Sequence, residues 1–363
     1  MLILTGATGL VGGELLHRCL AQRPDRGVIL LVRNRERLID PIKSKQIMVI
    51  ESDLTRPALG LDSATVGKIQ REATEIIHCA ADTRFGLPIN LARATNTRGT
   101  ANVLKMAQGC KHLEKFAYLS TAYVAGRTTG HIPEAALQNH RGFINTYQQS
   151  KYEAEQLVLE AMSEIPAAIY RLSTIIGDSR TGHVNQFNYF HKILRLLARN
   201  VLPVVPGDPS WRIDLIPTDW GSSALAFLFE SRFVRGQIIH ICAGAGGSPT
   251  IGEARAIAVD LFERHPLIKK WLPLRVPELV RLTVYEEYVR RSLQSGDNLL
   301  IELLKVLDTF LPQLGIEQCF DTERLLQSLE GSGIRLPSFR DYFGKVVTYC
   351  LETNWGRKAG SCQ

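Results

Sequence analysis

The chain has 363 residues, 45% of them hydrophobic and 22% charged, a composition that excludes disordered and fibrous proteins. A single core stops growing at roughly 250–300 residues, so one large unit and a smaller second lobe are expected. The formal net charge is +7 and the pI about 9.0, but lysines and arginines are spread along the chain, which argues against a nucleic-acid partner and leaves an anionic ligand to explain the excess.

The seven cysteines are scattered, without a CxxC pair or an interleaved histidine, and read as reduced thiols of a cytoplasmic protein with no metal site. The first strand begins at Met1 or Leu2, which leaves no room for a leader ahead of it. No stretch reaches the ~18–20 uncharged apolar residues of a spanning helix, because Lys192, Arg195 and Arg199 interrupt the best candidate, so no transmembrane segment is expected.

In chain order, short apolar runs at Leu2–Leu4, Val28–Val32, Ile47–Ile50, Ile76–Cys79, Phe116–Leu119 and Ala168–Tyr170 alternate with amphipathic stretches at Gly12–Gln22, Thr97–Gln108 and Tyr147–Met162. Uninterrupted apolar strands between helices predict an α/β fold, a Rossmann-type doubly wound parallel sheet covered on both faces. After Gly177 the alternation breaks down, and Pro203, Pro206, Pro209 and Pro217 suggest substrate-side loops over 178–217 before a late strand at Gly236–Ile241. From about Thr250 the pattern is mainly helical, with stretches around Glu278–Leu293 and Leu299–Leu311 and a tail at Tyr349–Trp355. The expected division is therefore 1–245 for the sheet domain and 246–363 for a smaller, mainly helical substrate or lid lobe.

The first loop reads Thr5-Gly6-Ala7-Thr8-Gly9-Leu10-Val11-Gly12, a TGxxGxxG pattern between a strand and a helix. Gly6 permits a tight turn, Gly9 lets the backbone approach a pyrophosphate, and Gly12 lets helix and strand pack closely, while the helix N-terminus faces negative charge. Thr5, Thr8, Leu10 and Val11 are candidate dinucleotide contacts with the glycines. The second strand ends at Arg33, where an NAD-selecting protein places an acidic side chain. A guanidinium there suits the 2′-phosphate of NADP, with Arg35 or Arg37 closing from the next turn. Asp53 and Leu54 stand where adenine would lie, with an ordinary helix cap as the alternative for Asp53. Cys79, Ala80 and Ala81 offer small side chains where the backbone must pass close to the cofactor, and His78 reads as a packed core histidine.

Tyr147 and Lys151 lie one helical turn apart on one face, downstream of a strand ending in Ser120-Thr121. A tyrosine with a pKa of about 10 is a poor base, so the Lys151 charge together with buried ribose contacts is expected to favour its phenolate. A hydroxyl from Thr121 or its neighbour Ser120 would hold a substrate oxygen against Tyr147.

Ser52-Asp53-Leu54 through Leu59-Gly60-Leu61, Ser120-Thr121-Ala122-Tyr123-Val124, and Tyr170-Arg171-Leu172-Ser173 through Gly177-Asp178-Ser179-Arg180-Thr181-Gly182 resemble the extended short-chain dehydrogenase/reductase superfamily, closest to thioester reductase and fatty acyl-CoA reductase domains. The resemblance runs over about residues 1–245. It implies that NADPH delivers hydride to an acyl thioester, that a hemithioacetal expels the thiol to leave an aldehyde, and that a further reduction yields an alcohol. It also implies Thr121 over Ser120 as the working hydroxyl, Asn96 as a buried brace of the site or a simple helix cap, and Leu172 and Ser173 beside the cofactor. Arg180 would meet a phosphopantetheine or CoA group, or else pair with Asp178. The helices after Phe187 would line an acyl pocket. The partners implied are a small-molecule or acyl-carrier-protein-bound substrate and a homodimer partner.

Two features depart from those families: the chain includes no adenylation or carrier module, and Leu172 stands where glycine or proline is usual. A hydroxysteroid-dehydrogenase-like or other ketone/alcohol oxidoreductase is the alternative enzyme. A sugar-nucleotide epimerase or dehydratase would favour NAD, against Arg33. A non-catalytic dinucleotide sensor is the alternative of another class, and the retained Tyr147 and Lys151 argue against it.

Overall fold

The computed structural model describes residues 1–38, 46–138, 140–202, 204–266, 268, 273–294 and 297–356. Pro203 and Cys362 lie outside them. The first half alternates as its apolar runs require: β1 (Leu2–Thr5), α1 (Leu10–Gln22), β2 (Val28–Val32), β3 (Ile47–Glu51), α2 (Ser63–Glu72), β4 (Glu75–His78), α3 (Ile89–Arg93), α4 (Gly99–Gln108), β5 (Lys115–Thr121), β6 (Gly130–Ile132), α5 (Thr146–Ala161) and β7 (Ala167–Leu172). Next come β8 (Thr174–Ile175), α6 (Tyr189–Leu197), β9 (Val204–Pro206), β10 (Leu215–Ile216), α7 (Thr218–Ser231) and β11 (Ile238–Ile241). The remainder is α8 (Gly244–Gly247), α9 (Ile251–Arg264), β12 (Glu278–Val280), α10 (Leu282–Leu293), α11 (Asn298–Leu307), β13 (Gln318–Phe320), α12 (Glu323–Leu329) and α13 (Phe339–Glu352).

Seven strands form one sheet in the order β11-β7-β5-β4-β1-β2-β3, every neighbouring pair parallel. This is the expected doubly wound α/β sheet. Alternate residues face opposite cores: Leu2, Leu4, Val28 and Leu30 pack with Leu225 and Phe229 of α7, whereas Ile3, Ile29 and Leu31 pack with Val103 of α4 and Val158 of α5. Both faces are buried, which is why the strands read as continuous apolar runs. The order turns back at β1, between β2 and β4, and the C-terminal ends of those strands frame the crevice where such sheets bind ligands.

A further apolar cluster unites Ile176, Phe190 and Leu215 with Phe262, Tyr285, Leu307, Phe343 and Val347. Short parallel pairs join β6 to β13, β9 to β12 and β8 to β10. The expected helix over Glu278–Leu293 begins instead with a strand, because Glu278–Val280 pairs with Val204–Pro206 before α10 starts. Tertiary pairing overrides the helical pattern there. Among the described residues no helix is long and apolar enough to cross a membrane.

Candidate active site

At the first loop, Gly6 has φ +81°, and a Cβ there would sit 2.6 Å from the Ala80 backbone nitrogen. A Cβ on Gly12 would sit 2.2 Å from the Gly6 carbonyl oxygen. Strand, loop and helix therefore touch backbone to backbone. The Gly9 N–H donates to the Gly6 carbonyl at 3.0 Å, and α1 opens at Gly9 without a side-chain cap. Its first N–H groups are not taken by a capping side chain, an arrangement suited to a diphosphate. Thr8, Leu10 and Val11 are half-buried around this turn. The Thr5 hydroxyl is used internally: it bonds His78 Nδ1 at 2.7 Å and accepts the Ala80 N–H at 3.2 Å. His78 Nε2 meets the Thr100 hydroxyl at 3.0 Å, and burial lowers the imidazole to about 3. It is the neutral core histidine expected from its setting.

Arg33 is exposed at the end of β2, and its charge reaches Asp53 and Asp82. Arg37 is exposed on the turn that follows. Arg35 is engaged elsewhere, donating to the Val49 carbonyl at 3.2 Å, with its backbone N–H on Glu51. The Asp53 Oδ1 accepts from the Thr55 N–H and hydroxyl at 3.0 and 2.8 Å, which holds its carboxyl below the usual range. Leu54 packs against Gly99, and its carbonyl accepts from Asn102 at 2.8 Å. Ala80 and Ala81 are half-buried. Burial raises the Cys79 thiol to about 12, and the Lys151 charge and Gly12 N–H reach it from either side. The residues at hand thus fit a dinucleotide: a close backbone cradle, a helix end without a side-chain cap and an exposed arginine after β2.

Asn145 caps α5 by accepting the Gln148 N–H at 2.9 Å, and this places Tyr147 in the first turn with Lys151 a turn later. The Thr121 hydroxyl accepts the Tyr123 N–H at 3.3 Å and lies close enough to the Tyr147 phenol to oppose the rise that burial causes there. Lys151 is 2% exposed; its Nζ donates to the Leu119 carbonyl at 2.7 Å and lies 4.2 Å from the centre of the Tyr118 ring. Burial lowers Lys151 to about 8 and raises Tyr147 to about 12. Among the chain's own residues burial dominates at Tyr147, and the Lys151 ammonium is directed to the Leu119 carbonyl. A neutral phenol beside a threonine hydroxyl is a pair of donors for a carbonyl oxygen.

Alternation along β5 separates the two neighbouring hydroxyls. Thr121 meets Tyr147, whereas Ser120 donates to Glu155 at 2.6 Å, joining a fully buried pair in which Arg171 meets Glu155 at 2.6 Å. Asn96 is 1% exposed and lies in a π-helical turn, Ala94–Arg98, between α3 and α4. Its side chain accepts the Asp82 N–H at 2.7 Å and donates to the Asp82 carbonyl at 3.0 Å and to Ser150 at 2.9 Å. It is thus a brace between the cofactor-side loop and α5, not a helix cap. Leu172 is buried, and Ser173 donates to the Asp214 carbonyl at 2.7 Å. Arg180 pairs with Asp178 at 3.5 Å and is largely exposed.

Several residues of this crevice escaped the sequence reading. The Phe85 ring stacks on Tyr147 at 5.4 Å and tilts onto Tyr189 at 5.2 Å, which in turn meets Phe310 at 6.3 Å. Gln148 donates to Gln313 at 2.7 Å, and Gln313 to Gln318 at 2.9 Å, tying α5 to the C-terminal lobe. No spacing connects residues 85, 189 and 310; the one available signal was the position of Phe85 in the loop after a cofactor-side strand. Among the described residues no cluster of histidine, cysteine or carboxylates could hold a metal ion.

A family model described as male sterility protein matches residues 4–225. An isonitrile lipopeptide synthase of Streptomyces coeruleorubidus is 31% identical over 245 residues, covering 62% of this chain and 16% of that protein. A Drosophila melanogaster protein with a provisional fatty acyl-CoA reductase name is 25% identical over 319 residues, covering 73% of this chain and 59% of the relative. The chain therefore spans less than two thirds of either. The crystal structure of the terminal R domain from the myxalamid PKS-NRPS biosynthetic pathway superposes with a TM-score of 0.79 at 24% identity, covering 99% of this chain and 92% of that one. Since the family match runs through the glycine loop, the Thr121 strand and the Tyr147–Lys151 helix, the chain belongs to the male sterility family of NAD(P)-binding oxidoreductases within the extended short-chain dehydrogenase/reductases.

Proposed function

We propose that the protein reduces acyl thioesters, held on CoA or on an acyl-carrier protein, with NADPH, yielding an aldehyde and, in a second round, an alcohol. The observation that carries this reading is the meeting of Thr121, the Tyr147 phenol and a buried Lys151 at the C-terminal end of β5. When bound, the nicotinamide supplies the hydride that the carbonyl carbon receives. The protein's own residues manage the oxygen. Thr121 and Tyr147 donate to it, and the phenol, raised to about 12 by burial, is protonated at neutral pH and able to protonate the alkoxide as it forms. Collapse of the resulting hemithioacetal expels the thiol and leaves the aldehyde, whose oxygen meets the same two donors. Lys151 adds positive charge nearby in a site of low dielectric. Asn96 and Ser150 hold α5 in place behind it. NADPH is favoured over NADH by Arg33 at the end of β2, with Arg37 on the following turn.

The test is loss of NADPH absorbance with an acyl-CoA, the matching aldehyde and a ketosteroid in parallel. Tyr147→Phe is expected to lower kcat on the thioester by at least about 100-fold while NADPH affinity stays within about threefold. NADH in place of NADPH is expected to lower kcat/KM at least about tenfold. Turnover of the ketosteroid alone would remove this reading in favour of a ketone/alcohol oxidoreductase, and thioester turnover indifferent to Tyr147 would remove the phenol from the chemistry.

A further inference from the structure

Three hydroxyls from distant parts of the chain meet near the Thr121–Tyr147 pair. The Tyr123 oxygen, in the turn after β5, lies 2.8 Å from Thr174 Oγ1 on β8. Thr174 Oγ1 lies 2.5 Å from the hydroxyl of Tyr189 at the head of α6, and Tyr189 donates to Tyr123 at 3.0 Å. Each hydroxyl has one proton. Three bonds among three hydroxyls need three protons, so whichever oxygen donates in each, every proton is used inside the triangle. The ring closes on itself. All three protons are consumed inside it, and what the oxygens retain is acceptor capacity.

The ring also has the right place and field. Tyr189 acts electrostatically on Tyr147, and the Phe85 ring lies between the two. Tyr123 and Tyr189 are only partly covered, whereas Thr174 is buried. Burial raises both phenols first of all, and Asp214, buried and bonded to the Ala243 and Gly244 N–H groups at 2.9 Å each, adds in the same direction. The potential at the ring is thus made more negative, which repels an anion and suits a neutral donor. An amide N–H has no lone pair and can only donate, so it matches an acceptor-only ring better than a hydroxyl does. Phe310 and Phe320, packed on Tyr189 and Tyr123, supply aromatic walls for its planar group.

We propose that Tyr123, Thr174 and Tyr189 form a specificity subsite that accepts a hydrogen bond from an amide N–H a few bonds from the thioester carbonyl. The proposal rests on the thioester-reductase reading above and adds the substrate class, amide-bearing thioesters over plain alkanoyl ones. The same N–H chemistry has two sources: an N-acyl aminoacyl group on the acyl side, or a pantetheine-like arm on the thiol side.

The test is a set of four thioesters: an N-acylglycyl or an alkanoyl chain of equal length, each on N-acetylcysteamine or on an alkane thiol of equal length. Wild type is expected to show kcat/KM about tenfold higher when the amide is present on one side, the worth of one hydrogen bond. Thr174→Val and Tyr189→Phe are each expected to lower that ratio below about threefold, and the side on which the ratio falls identifies the source. Melting temperature and NADPH binding verify that the variants fold, and if Tyr189→Phe fails to fold, Thr174→Val decides. A wild-type ratio near one on both sides, or a ratio unchanged in the folded variants, overturns the subsite while leaving the thioester reading intact. Failure to turn over any of the four while NADPH binds overturns the parent reading, and the subsite with it.

Discussion

Burial lowers the Lys151 ammonium to about 8 from an ordinary 10.5, even though its Nζ keeps the Leu119 carbonyl at 2.7 Å. In the unfolded chain the group keeps its proton up to about 10.5, so between the two values the unfolded state binds more protons and stability rises with pH. Below 8 both states are charged and the folded protein carries the full cost, on the order of 3 kcal/mol at about 1.4 kcal/mol per pKa unit. Replacement by methionine removes that cost and leaves the Leu119 carbonyl without its donor, a loss of about 1 kcal/mol. Lys151→Met is therefore expected to melt a few degrees higher than wild type at pH 7, with the gain shrinking toward pH 10, while thioester reduction falls at least about 100-fold. Differential scanning calorimetry across pH checks the first part. A variant less stable at pH 7 would mean that the charge is better compensated than its burial implies. The same titration puts a descending limb near pH 8 in the wild-type kcat/KM profile.

The junction of β1 and α1 shows how an element boundary carries function. Alanine is usually the better helix residue by about 1 kcal/mol, but at Gly12 its Cβ would meet the Gly6 carbonyl at 2.2 Å, and that neighbour is backbone. Relief requires moving α1 away from β1, which displaces the N–H groups at the helix start. At Gly13, one residue on, a Cβ would find the Ala7 carbonyl at 3.4 Å, an ordinary contact. Gly12→Ala is expected to lower NADPH affinity at least about tenfold and stability by about 2 kcal/mol, whereas Gly13→Ala is expected to be neutral or stabilising. Titration followed by nucleotide fluorescence, with thermal melts, separates the two. This boundary was legible in the sequence because the glycine spacing answers a local steric demand, and the strands were legible because a sheet covered on both faces leaves unbroken apolar runs. Strand β12 was not, because only its pairing with β9 makes it a strand. The Tyr123–Thr174–Tyr189 ring was not, because its members are brought together by tertiary structure with no periodicity between them. The partner of the Lys151 ammonium was not legible for a related reason: adjacency along a helix says nothing of the Leu119 carbonyl that receives it.

At the scale of the whole molecule, residues before and after position 245 share their interiors. Leu325 and Leu329 of α12 pack in the sheet's own core, β13 pairs with β6, and one apolar cluster takes Phe190 and Leu215 together with Phe262, Phe343 and Val347. A polar chain crosses the same boundary. Arg171 bonds Glu155 and, at 3.1 Å, His240 Nε2; the His240 ring, lowered to about 3 chiefly by burial, is neutral and donates from Nδ1 to the Asp321 carbonyl at 2.8 Å. Glu134 accepts the His240 and Arg324 N–H groups, each at 2.7 Å. Removing the C-terminal lobe would expose the faces of α7 and β11 that α12 covers, and take one of the two backbone donors from a buried carboxylate, at a cost of several kcal/mol in a protein whose total stability is about 5–15 kcal/mol. The full chain is therefore expected to unfold in one cooperative transition, with tryptophan fluorescence and far-ultraviolet circular dichroism coinciding. A fragment ending at residue 245 is expected to lose its near-ultraviolet dichroism and bind a hydrophobic dye while retaining helical signal. Two separated transitions in the full chain, or a fragment that melts as sharply and as high as the whole, would show instead that the shared core contributes little and that the sheet half stands by itself.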